Sequence, residues 1–88
     1  MASTNRLLLQ ALVNGLSDAV GRNDEAAAER YHTRIRLLAG HFDTNPVVSA
    51  AIERLLSASG SWLKTKVSDR FEAEQPLAEL VDHITELL

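Results

Sequence analysis

Cysteine is missing from this 88-residue chain, which excludes disulfides, thiolate nucleophiles and Cys-ligated zinc. Glycine is scarce. Its four residues, at 15, 21, 40 and 60, are too scattered to form a phosphate-cradling loop. Aromatic residues are few, with one Trp, one Tyr and two Phe. No apolar run approaches the ~18 residues of a membrane span, and the N-terminal stretch has no small-residue cleavage site of convincing form. These absences point to a cytoplasmic protein that does not cross a membrane. Seven serines occur, at 3, 17, 49, 57, 59, 61 and 68, and none sits in the Gly-x-Ser-x-Gly context of a nucleophile elbow.

What is present favours helix. Fourteen Leu and twelve Ala dominate the apolar share, and both are strong helix formers. The length suits one domain with a modest core. Punctuation then divides the chain. Ser3 or Thr4 can cap a first helix with apolar positions Leu8, Leu9, Leu12, Val13, Leu16, Ala19 and Val20, closed by Gly21 in a left-handed conformation. Asn23 reads as the N-cap of a second helix, with Asp24 and Glu25 in its first turn and a stripe of Ala27, Ala28, Tyr31, Ile35, Leu38 and Phe42.

Asn45-Pro46 is a start signal with a mechanism, because proline at the first helical position lacks only a donor that would be unpaired anyway. From there Val48, Ile52, Leu55, Leu56, Leu63, Val67 and Phe71 keep helical phase, which predicts one long helix running through Gly60 to about residue 73; a split near Gly60 is the rival reading. Gln75-Pro76 reads as the start of a last helix bearing Leu77, Leu80, Val81, Ile84, Leu87 and Leu88. The expected fold is therefore all-α, a single domain over 1–88 with helices at about 4–20, 24–41, 46–73 and 76–88, packed as a small antiparallel bundle of three to four helices. Leu7, Leu8 and Leu9 point in three directions, so the bundle is expected to be completed by dimerisation.

Candidate chemistry is sparse. Glu29 and His32 have the Glu-x-x-His spacing of carboxylate-bridged metal sites, but the second copy those sites need is missing, so no metal and no cofactor is expected. His41 reads as a helix-end residue and His83 as solvated surface. The net charge of −3 is concentrated in the last helix, at Glu79, Asp82 and Glu86. Arg30 with Arg34, and Lys66 with Arg70, have nearby acids that suggest intrahelical pairing, which makes a nucleic-acid partner the weaker alternative. A small enzyme binding an anion through arginines is weaker still.

The reading that remains is a non-enzymatic protein–protein interaction module, a small adaptor, assembly factor or regulator acting as a homodimer. Its expected partner-binding residues are Leu7, Leu8, Trp62, Lys66, Leu80, Ile84 and Leu87. Trp62 is placed at the border of the third stripe, where an indole often seals the core, and Lys66 one turn on also gives it the pairing of an interface anchor.

Overall fold

A computed structural model describes residues 2–88, with side chains from Thr4 onward. The four α-helices are α1 (Ala2–Gly21), α2 (Glu25–Ala39), α3 (Pro46–Lys64) and α4 (Arg70–Leu87), with 3-10 turns at Gly40–Phe42 and Val67–Asp69. No strand occurs among the described residues, so the fold is all-α. The first cap differs from expectation. Thr4 lies inside α1, and Ser3 falls outside the described side chains.

The turn between α1 and α2 is built by Asn23, not Gly21. Asn23 has φ 55, its N–H donates to the Val20 carbonyl at 3.0 Å, and the Asp24 N–H donates to the Ala19 carbonyl at 2.8 Å. Those two bonds form a Schellman motif with asparagine as its left-handed residue, a role asparagine fills better than any residue except glycine. Asp24 then caps α2 itself, its Oδ1 accepting from the Ala27 N–H at 3.1 Å. The same residue closes one helix and opens the next. At the following boundary, Asn45 caps α3 by accepting from the Val48 N–H at 3.3 Å, with Pro46 in the first turn, as its sequence predicts.

The long third helix is shorter than its apolar phase suggests. It passes through Gly60 and stops at Lys64, where Thr65 turns extended (φ −80, ψ 142) and Lys66 follows (φ −60, ψ 145). Val67 and Phe71, which would have extended the stripe, are exposed. The last helix begins at Arg70 and contains Pro76 instead of starting there. An interior proline removes one helical hydrogen bond, but Pro76 and Glu72, whose carbonyl is left free, both face solvent.

Neighbouring helices pack α1 on α2, α2 on α3, α3 on α4 and α4 on α1. Gly15 against Tyr31 and His32 against Ser59 show the chain reversing at its first two turns, and Gln10 with Thr85 sets α4 beside α1. The molecule measures 41 × 20 × 18 Å. Its core holds Leu9, Leu16, Ile35, Ile52, Leu55, Trp62, Leu77 and Ile84, drawn from all four helices. Gly15 is set by α1–α2 packing, since a Cβ there would collide with the Tyr31 ring.

One side chain joins the end of the molecule opposite the chain termini. Arg70 is only 7% exposed. Its Nε donates to the Thr65 carbonyl at 3.1 Å, one terminal nitrogen donates to Asn23 Oδ1 at 2.9 Å, and the other lies 3.3 Å from Glu25 Oε1. The guanidinium also stacks 4.5 Å from the centre of the Trp62 ring. It therefore binds the end of α3, the α1–α2 turn and the start of α2 at once.

Arg70→Met lowers the urea-derived unfolding free energy by about 2–4 kcal/mol, the sum of lost charge-assisted hydrogen bonds and the cation–π contact. Glu25→Gln costs under about 0.5 kcal/mol, because Glu25 is 57% exposed and solvent screens the pair. Gly15→Ala would stabilise an exposed helix by about 1 kcal/mol. Here it destabilises by about 1–3 kcal/mol through overpacking on Tyr31, measured in the same way.

Candidate functional site

The residues expected to meet a partner separate into two groups. Leu7 is 72% exposed, Leu8 is also exposed, and Lys66 is exposed in the α3–α4 turn. Leu80 and Leu87 are half-buried and pack on the core. Trp62 and Ile84 are fully inside. Trp62, at 1% exposure, presents no indole face to a partner, and the cation beside it is Arg70, not Lys66. The reason is the break after Lys64: the chain turns back and lays Arg70 on a ring that a continuous helix would have left at the core's edge. Trp62 Nε1 has no hydrogen-bond partner among the described residues.

Sequence reasoning missed Leu37, which is 76% exposed on the outer side of α2. The available signal was a leucine off the buried stripe, on an otherwise charged face. Gly15 against Tyr31 fixes the α1–α2 register, and two turns further along it Leu8 stands level with Leu38. Leu7, Leu8 and Leu37 therefore share one end of the α1–α2 layer, facing away from the core.

A different site lies between α2 and α3. A cleft of about 870 Å³ is lined by His32 and Arg36 from α2, by Leu56, Ser57, Gly60, Ser61 and Lys64 from α3, and by Thr65. His32 is half-buried, with Nδ1 2.5 Å from Ser59 Oγ. The Ser59 hydroxyl also lies within hydrogen-bond distance, 3.2 Å, of the Leu56 carbonyl. The contact with His32 holds the ring in place against α3 through Nδ1. Ser59 is completely buried and committed to this chain of bonds, so it orients the imidazole and offers no nucleophile.

Glu29 stands one turn before His32 and, with Glu25, lines an adjoining lobe that shares His32, Arg36, Gly60 and Lys64. Among the described residues, no group of three His, Asp or Glu side chains is placed to hold a metal ion. Arg30, Arg34, Arg36 and Lys64 form no ion pair within 4.0 Å among the described residues, which corrects the expected pairing of Arg30 and Arg34 with nearby acids. Arg70 does pair, but across helices to Glu25. His41 and His83 are exposed.

No protein-family model matches the chain, and no curated protein or solved structure matches it. No described helix is long and apolar enough to cross a membrane.

Burial lowers the His32 pKa below the ordinary value of 6.5, the Arg36 guanidinium lowers it further, and Glu29 opposes them. A lowered folded-state value means the unfolded chain binds the proton more readily. The stability contributed by neutral His32 is therefore complete above pH 6.5 and is lost as pH falls through the folded-state pKa. Melting curves between about pH 7 and pH 5 should fall more steeply for the native protein than for His32→Gln.

Proposed function

We propose that the protein acts without catalysis, as a helical interaction module that pairs with a second copy of itself through the outer α1–α2 face. The observation that carries this reading is the cluster of Leu7, Leu8 and Leu37, exposed at one end of that layer. Large apolar side chains gathered on one face and rimmed by charge mark association surfaces. Arg30 and Arg34, exposed on the same side of α2 as Leu37, supply the rim.

A two-fold pairing uses each leucine twice, so a few side chains suffice to close the contact. Trp62 and Ile84 are buried, and Leu80 and Leu87 lie on α4, so none of the four belongs to this contact surface.

Light scattering provides the test. At about 50 μM, well above a micromolar dissociation constant, the native chain should scatter at twice its 9.7 kDa mass. The double variant Leu7→Glu, Leu37→Glu should return to the single-chain mass with unchanged helicity. A native chain that stays at 9.7 kDa under those conditions contradicts the reading. A second reading draws on the unpaired Arg30 and Arg34: retention on DNA that fades with salt and with Arg30→Gln, Arg34→Gln would favour a nucleic-acid regulator instead.

A further inference from the structure

We infer that the cleft between α2 and α3 binds the phosphate group of a small phosphorylated molecule, held between Arg36 and Lys64 over the level of His32 and Gly60. The argument begins with helix geometry. His32 bonds Ser59, and Gly60 follows it, so these residues mark one level across the two helices. Arg36 is four residues beyond His32 on α2, and Lys64 is four beyond Gly60 on α3. Because the helices run in opposite directions, those two steps carry the cations to opposite sides of that level, each by about 6 Å. Both side chains are long enough to converge on a group seated midway.

The cleft is shaped for a ligand there. Ser57, Gly60 and Ser61 keep its α3 wall low, and a Cβ added at Gly60 would sit 3.8 Å from the His32 ring. Leu56 supplies an apolar floor, while the Ser57 and Ser61 hydroxyls stand at the rim. No carboxylate lines this lobe. The acids nearby are Glu29 and Glu25 in the adjoining lobe, and Glu25 is engaged with Arg70. Arg36 and Lys64 therefore stand without an ion-pair partner among the described residues, facing a pocket with hydroxyl and imidazole groups around it. An arginine fork beside a lysine point charge suits a tetrahedral dianion.

His32 adds a response that a plain basic patch lacks. Its neutral imidazole takes up a proton when an anion arrives, which turns it into a third cationic donor. The charged groups that face it are Arg36 and Glu29 on its own helix, Lys64 on α3, and Glu25 at the far end of the adjoining lobe. A bound phosphate opposes Arg36 and shifts the balance toward imidazolium, so binding raises the proton affinity of His32.

The test is an NMR titration of the native chain with inorganic phosphate and with phenyl phosphate. Saturable shifts are expected at His32, Arg36 and Lys64, with phenyl phosphate also moving Leu56, and the measured His32 pKa should rise in the presence of either. Arg36→Gln and Lys64→Gln, both exposed in the free protein, should each weaken binding about tenfold, the loss expected for one charge-assisted contact. Glu29→Gln should tighten it. Shifts that do not saturate, or that survive both substitutions, overturn the proposal and mark general screening of a basic surface. Retention on phosphatidic acid vesicles with no response to either free phosphate also overturns it, in favour of a membrane surface.

Discussion

The guanidinium of Arg70 is the contact on which the arrangement depends. A helical chain of this size must turn three times, and each turn strands carbonyl and amide groups that need partners. The first two turns solve this locally, through Asn23 with Asp24 and through Asn45 with Pro46. The third does not. Residues 65–69 contain neither glycine nor proline, and the Thr65 carbonyl is met by a side chain from the next helix. That side chain also reaches Asn23 and Glu25, so the turn between α3 and α4 is held by the turn between α1 and α2. Burying a cation this deeply is unfavourable without hydrogen bonds and a π face, and Arg70 has both.

How much of this can be read in the sequence depends on whether the controlling interaction is local. Asn45-Pro46 acts within one helical turn, and its start signal is met. The stripes of α1 and α2 are governed by a simple period, and Leu9, Val13, Leu16, Ile35 and Leu38 are buried as that period requires. The end of α3 is different. Leu63, Val67 and Phe71 keep helical spacing through a break of two extended residues, so periodicity alone could not reveal it. Pro76 misled for a related reason. Its solvent-facing position makes an interior proline tolerable, and that position is known only once the preceding turn is placed. Trp62 followed from the same break, since its true neighbour in space is eight residues away, not four.

The same logic explains the site. Sequence inspection could name His32 and Glu29, but it could not know that Ser59 orients the imidazole or that Lys64 approaches from the opposite direction to Arg36. Those relations exist only because α2 and α3 are antiparallel at the register fixed by His32 and Ser59. The core claims the most apolar anchor, Trp62, and leaves two surfaces with surplus capacity: leucines on the outside of α1 and α2, and an unpaired basic cleft on the other flank of α2. Helix α2 contributes to both, so the proposed association face and the proposed phosphate cleft lie on different sides of one element.

Native-state hydrogen exchange of Arg70→Met compared with the native chain tests the central role of that guanidinium most directly. Protection should fall together at the amides of Asn23 and Asp24, at Thr65 and at the first turn of α4, while amides near Leu9, Ile35 and Ile84 keep their relative protection. Loss confined to α4, with the α1–α2 turn unchanged, would contradict the account.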